Sequence, residues 1–191
     1  MPRAGLTAER LTQAAAELAD EVGFENVTVS ALARRFGVTD PSLYSHIKNA
    51  RDLRVRVAAL ALTELADRAA AALAGRAGKD ALKAFAGAYR DYAKEHPGRY
   101  AAAQIELDPE TAAGDAARRH AEMTRAILRA YELQEPDQTD AVRLLGSTFH
   151  GYVSLERSGG FSHHPRDVDA SWSRALDALD SVLRNWPPAD V

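Results

Sequence analysis

Cysteine is absent from the 191 residues. That excludes disulfides, thiolate zinc sites, cysteine nucleophiles and any thiol redox switch, so stability and regulation must come from packing and polar contacts. No stretch of eighteen consecutive apolar residues occurs, which leaves no transmembrane segment to be read. The opening MPRAGLTAER lacks the apolar stretch of a secretory signal, and the chain is expected to be folded, water-soluble and cytoplasmic. No phosphate-binding glycine loop, GxSxG elbow or carboxylate pair at helical spacing stands out as a catalytic pattern. His163 and His164 stand near Asp167 and Asp169, as metal ligands do. They fall in a Pro-containing loop without the His-x-x-x-His spacing of a helical site, however, and a solvated loop is the simpler reading. The expectation is a protein that is not an enzyme, with no catalytic residue, no metal and no cofactor.

What the chain does contain is helical periodicity. Thr7 is placed to cap a helix with Leu11, Ala15, Leu18 and Val22 on one face, ended by Gly23. From Asn49 to Leu73 there is neither proline nor glycine, and Leu53, Val57, Leu60, Leu65 and Leu73 mark a long amphipathic helix. Gly75 and Gly78 interrupt it, and the pattern then predicts helices over 81–95, 99–107, from Pro109 to about Leu133, over 137–158 and over 168–185. The fold class expected is all-α, with about nine helices and no strand.

Residues 29–53, VSALARRFGVTDPSLYSHIKNARDL, carry the clearest functional pattern. Thr28 is a good N-cap, and Val29, Leu32, Ala33 and Phe36 recur at helical spacing. Gly37 sits where a helix needs a left-handed terminator, and Val38 plugs the turn. Thr39 is placed to cap a second helix from Asp40 to about His46, with Pro41 tolerated in the first turn. Leu43 and Ile47 make its buried stripe, which turns Asp40, Ser42, Ser45 and His46 outward. Two short helices joined at a glycine, the second with a small polar outer face, are the layout of a helix-turn-helix for a DNA groove.

The net charge of −3 hides an asymmetry that fits this reading. Residues 28–56 carry Arg34, Arg35, Lys48, Arg51, Arg54 and Arg56 against Asp40 and Asp52, a balance of +4, whereas residues 57–191 balance at −4. A basic docking surface on an acidic body would orient the molecule on a phosphate backbone.

The run GVTDPSLYSHIKNARDL closely resembles the recognition helix of TetR-family transcriptional regulators: the Gly37-Val38-Thr39 turn, Leu43-Tyr44, His46, an apolar residue at 47, and Leu53 opening the next helix. LTAERLTQAAAELADEVGFENVTVSALARRFGV is similar to that family's first two helices, so the resemblance covers roughly residues 6–60. It implies a three-helix DNA-binding domain over 1–50 and an effector-binding and dimerisation domain over 51–191. It implies that Thr39, Tyr44 and Lys48 meet phosphates, that Asp40, Pro41, Ser42 and Ser45 face base edges with Ser30 adding another base contact, and that Thr28, His46 and Arg51 complete the DNA-facing set. An Asp40 carboxylate would either accept from cytosine N4 or merely serve the helix start. The family pattern has a lysine four residues after the histidine; this chain has Ala50, with Lys48 and Arg51 flanking the gap.

Further along, HGYVSLERSGGFSHHPRDVDASW is similar to the C-terminal domain of a TetR subgroup with a His-Gly in the penultimate helix, matched by His150-Gly151 and Gly160-Phe161; a tryptophan expected before the His-Gly is missing. By resemblance, residues 137–158 and 168–185 would pair with a second copy, Gly146, Ser147 and Gly151 allowing close approach and Phe149, Tyr152, Leu155 and Leu176 filling the contact. The alternative is that both helices only complete a monomer core. Candidates for a small-molecule effector site are Phe85, Tyr89, Tyr92, Tyr100, Gln104, Met123, Ile127, Phe149 and His150, an aromatic set with a few polar groups that slightly favours a neutral or weakly polar compound. A lone histidine on an apolar helix is more often packed and hydrogen-bonded than a ligand contact, so a structural role is the simpler reading of His150. The function implied is a ligand-responsive repressor that leaves a palindromic operator in double-stranded DNA when its effector binds. The rival reading is a small-molecule sensor that keeps the fold without specific DNA binding.

Overall fold

A helix leaves its first N–H groups without partners, and at several helix starts among the described residues a side-chain oxygen supplies one. The computed structural model describes residues 6–107 and 112–187, and every regular element among them is helical. Thr7 accepts from the Arg10 N–H (3.2 Å) to begin α1 (Ala8–Val22), which ends at Gly23. Thr28 accepts from Ala31 N–H (3.1 Å) to begin α2 (Val29–Phe36), and Gly37 closes it in the left-handed region (φ 65°, ψ 35°), where a side chain would be strained. α3 (Asp40–Leu43) is shorter than the expected run to His46. Its hydrogen bonding still carries over, since the Ile47 N–H donates to the Leu43 carbonyl (3.1 Å) and brings Ile47 under the turn. Thr39 precedes α3 but does not cap it; its hydroxyl bonds that of Ser42 (3.0 Å).

α4 (Ala50–Leu73) starts where Asn49 accepts from the Asp52 N–H (2.8 Å) while Asp52 reaches back to accept from the Lys48 N–H (3.0 Å). Its 24 residues make a rod of about 36 Å. α5 (Gly78–Glu95) begins three residues before the expected position, since Gly78 (φ 53°) opens this helix and Gly75 (φ 71°) follows the end of α4. α6 (Pro97–Ala102) starts two residues early and stops five early. α7 (Ala112–Leu128) continues into a 3-10 turn at Arg129–Tyr131; the expected start at Pro109 lies outside the described residues. α8 (Asp137–Arg157) and α9 (Val168–Arg184) follow, the latter capped by Asp167 on the Ala170 N–H (2.7 Å).

The helices form two compact units, residues 1–65 with 95–117 and residues 66–94 with 118–191. The first has an alanine-rich core. Leu11, Ala15, Ala16, Ala19, Leu32, Ala33, Leu43, Ile47, Leu53, Val57 and Ala102 are buried together. Small side chains bring α6 hard against α1, where a Cβ on Gly98 would overlap the Ala19 carbonyl. Asp20 of α1 accepts from both the Gly98 (3.0 Å) and Arg99 (2.9 Å) N–H groups, so α6 takes its cap from another helix.

The second unit has an aromatic core of Phe85, Tyr131, Phe149 and Trp172 among Leu82, Leu128, Leu145, Leu176 and Leu183. Buried Arg90 of α5 binds Glu156 of α8 (2.7 Å) and Asp169 of α9 (2.6 Å), with its guanidinium 5.7 Å from the Trp172 ring centre. The Glu156 hydrogen bond holds that guanidinium protonated well beyond its ordinary range. Lys79 and Lys83 of α5 both grip Asp177 of α9, at 2.9 and 2.7 Å. No helix among the described residues is long and apolar enough to cross a membrane.

Candidate nucleic-acid interface

α2 and α3 separate what packs from what faces outward with little overlap. Leu43 is fully buried and Ile47 is 2% exposed, so the α3 turn is fixed to the first core from beneath. Each such side chain contributes roughly 1.5–3 kcal/mol of burial. Above them Ser30, Thr39, Pro41, Ser42 and Ser45 are exposed, Asp40 and His46 are half-buried, and Tyr44 is half-exposed at 51%. Tyr44 thus turns a large ring outward beside a fully buried leucine.

Short local bonds hold this face. The Thr28 hydroxyl accepts from its own helix, which leaves its proton available to a phosphate oxygen. Ser45 donates to the Ser42 carbonyl (2.9 Å), and Ser30 of α2 donates to the Asp40 carboxylate of α3 (2.5 Å). Lys48, Arg51 and Arg34 are exposed around it.

The basic surface is smaller than the charge count suggested. Arg35 is bound by Glu21 (2.8 Å) and Glu17 (3.3 Å), two acids of α1 outside the counted window. Arg54 donates to the Phe24 carbonyl and lies 4.1 Å over its ring, and Arg56 pairs with Asp52 (3.1 Å). Burial raises the Asp52 carboxyl, but the Lys48 N–H and Arg56 outweigh it and keep the group ionised below its ordinary value. Three of the six cations are thus committed inside the unit, leaving Arg34, Lys48 and Arg51 exposed with no ion pair described for them.

The effector candidates divide. Phe85, Tyr89 and Phe149 come together, with ring centres 4.9 Å apart for Phe85–Tyr89 and 6.4 Å for Tyr89–Phe149, and Met123 and Ile127 pack in the same core. Tyr92 is fully buried, with the Arg68 guanidinium 5.3 Å from its ring centre. Tyr100 and Gln104 belong to the first unit, Tyr100 buried and Gln104 exposed. His150 is exposed on α8, 3.4 Å from the Ser154 hydroxyl, which removes the reading of it as a packed core histidine.

His120 was missed. Its Nδ1 lies 2.5 Å from the Tyr89 hydroxyl, so a buried histidine meets the half-buried tyrosine that packs on Phe85 and Phe149. The signal in sequence was its spacing of three, four and seven from Met123, Thr124 and Ile127, which puts all four on one face of α7.

Two residues expected to fill a subunit contact do otherwise: Phe149 and Leu176 are 3% exposed inside their own core. Leu155 and Val182 are instead 50% and 44% exposed on α8 and α9. Around His163 and His164, Asp167 is spent capping α9 and Asp169 pairs with Arg90, so the acids needed for a metal site are committed. No cluster of three potential ligands occurs among the described residues.

Two family models match the chain: "Bacterial regulatory proteins, tetR family" over residues 11–57 and "Tetracyclin repressor-like, C-terminal domain" over residues 82–179. The HTH-type transcriptional regulator YobS of Bacillus subtilis is 34% identical over 182 residues, 95% of each chain. An HTH-type transcriptional regulator of Mycobacterium tuberculosis is 37% identical over 160 residues, 82% of this chain and 72% of the relative. A TetR variant from Acinetobacter baumannii, crystallised with minocycline, superimposes with a TM-score of 0.72 at 26% identity, covering 97% of this chain and all of the other.

Proposed function

The chain belongs to the TetR family of transcriptional regulators, and from that membership we propose that it is a ligand-responsive repressor whose α2–α3 face reads a palindromic operator. It is a regulator and not an enzyme. The observation that carries the DNA reading is the polar face of Ser30, Thr39, Pro41, Ser42, Tyr44 and Ser45, held rigid over buried Leu43 and Ile47. Thr28, Thr39, Tyr44, Lys48 and Arg51 meet phosphates and fix the register; Ser30, Asp40, Pro41, Ser42 and Ser45 face base edges, with His46 beside them. Lys48 and Arg51 take the place of the lysine that Ala50 replaces.

By role, residues 1–50 are the DNA-binding part and 51–191 the effector and dimerisation part. α8 and α9 pair with a second copy through the exposed apolar side chains Leu155 and Val182, with exposed Gly146, Ser147 and Ser181 letting the helices approach. Two copies then present two reading heads to the two halves of an operator. The effector binds at the Phe85, Tyr89 and Phe149 cluster, a reading supported by its aromatic make-up and by the minocycline complex of the Acinetobacter neighbour. The protein acts where the DNA is, in the cytoplasm.

A gel-shift with the DNA upstream of the protein's own coding sequence tests this. The expected result is a retarded band that survives excess random competitor. No retarded band at low salt would favour a sensor that keeps the fold without binding DNA specifically.

A further inference from the structure

We propose that Ser30 and Asp40 form one composite reading element that selects cytosine at a single base pair of each half-site, with Ser30 as the positioning residue for the Asp40 carboxylate. The inference rests on the reading that the α2–α3 face enters the major groove, and it adds which base that face demands and how. Asp40 could have served its own helix. Instead α3 has no side-chain cap, Thr39 and Ser42 bond each other, and the described hydrogen bond of Asp40 runs across to α2, from Ser30 Oγ to Asp40 Oδ2 at 2.5 Å.

That bond decides the chemistry the pair shows to solvent. A serine hydroxyl has one proton, and here it is committed to the carboxylate. What remains on both groups is lone pairs and one negative charge, on side chains that are exposed (Ser30) and half-buried (Asp40). An acceptor-only element discriminates sharply in the major groove. Cytosine offers its N4 amino donor, guanine presents two acceptors and thymine an acceptor beside a methyl group, while adenine offers N6–H next to the N7 acceptor. The ranking is cytosine first, adenine second, guanine and thymine rejected. The same charge repels the phosphate backbone, so Asp40 costs affinity for every sequence and repays it only where cytosine stands.

The variants separate positioning from charge. Ser30→Ala keeps the carboxylate but frees it to turn, so the preference among the four bases fades. Asp40→Asn removes the charge and supplies an amide able to grip N6 and N7 of adenine, so the preference moves to adenine and affinity for random DNA rises. Both sites lie at the surface, and unchanged thermal unfolding would show that the variants fold.

The experiment is selection of bound duplexes from a pool randomised over the half-site for the native protein, S30A and D40N, followed by binding curves for four duplexes differing at the indicated pair. The native protein is expected to favour cytosine over guanine or thymine by about tenfold. S30A is expected to shrink that to about threefold or less with other positions unchanged, and D40N to move the optimum to adenine. Equal shifts on all four duplexes in D40N, or no effect of S30A at that position, would overturn the inference and make the bond a structural tie. A native protein that enriches no consensus would overturn the DNA reading itself, and the inference with it.

Discussion

The reading face and the aromatic cluster of the second unit are both carried on helices, but their polar side chains are tied over very different stretches of chain. On the face, Thr28 to Ala31, Thr39 to Ser42 and Asn49 to Asp52 each span three residues, and Ser30 to Asp40 spans ten. In the second unit Tyr89 to His120 spans 31 residues, Arg90 to Glu156 spans 66 and Arg90 to Asp169 spans 79. Short-range bonds form with the helices themselves, whereas long-range ones exist only once the unit has folded and its loops have closed. The side-chain bonds of the proposed reading face are thereby set within its own segment, and those of the aromatic cluster depend on the whole unit.

The sharpest way to break this contrast is to cut one ion pair in each region. Arg90, 7% exposed, sits between two carboxylates, and Arg90→Met is expected to cost about 3 kcal/mol because Glu156 is left largely buried with only the longer Lys94 contact, at 3.7 Å, described for it. Arg35, 33% exposed between Glu17 and Glu21, has the same partners in kind; Arg35→Met is expected to cost under about 1 kcal/mol. Urea unfolding of both variants measures the difference, and equal losses would erase the contrast.

The next largest effect separates neighbours. Leu43→Ala should lose about 3 kcal/mol of stability by emptying a fully buried site. Tyr44→Ala, at a half-exposed site, should leave stability within about 0.5 kcal/mol while weakening DNA binding. Thermal unfolding beside a binding titration checks the pair. A smaller effect is expected for Tyr89→Phe, which removes the hydroxyl beside His120: stability should fall by about 1 kcal/mol and DNA affinity without effector should not change. A changed operator affinity would show that the cluster's bonds reach the reading face.

The smallest effect is one of pH. Lys83 and Lys79 hold the Asp177 carboxyl down to about 2 from its ordinary 3.8. A carboxyl depressed on folding stabilises the protein fully above the unfolded value, and the contribution is lost as pH falls from about 4 towards 2. The urea midpoint should therefore drop over that window, and the Asp177→Asn variant should show a shallower drop, since it has no carboxyl to protonate.

Legibility in the sequence follows the same divide. Thr7, Thr28, Gly23, Gly37 and Asp167 act within a few residues of themselves, so the bounds of α1, α2 and α9 could be read directly. α6 could not, because its cap is Asp20, more than seventy residues away. The basic patch was overcounted for an equally physical reason: Glu17 and Glu21 neutralise Arg35 across helices, which a count along the chain cannot register. In the cluster, aromatic residues at helical spacing were visible as a set. Which of them meet, and that His120 joins Tyr89, depends on how α5, α7 and α8 pack.

The central claim, that the α2–α3 face reads DNA by sequence, is tested most directly by fluorescence anisotropy of the native protein on its upstream duplex and on a random duplex over a series of salt concentrations. The upstream duplex should bind at least about a thousandfold more tightly at physiological salt. Affinity for both should fall steeply as salt rises, with Arg51→Ala lowering that slope by about one. Equal affinity for the two duplexes at every salt concentration would contradict the claim.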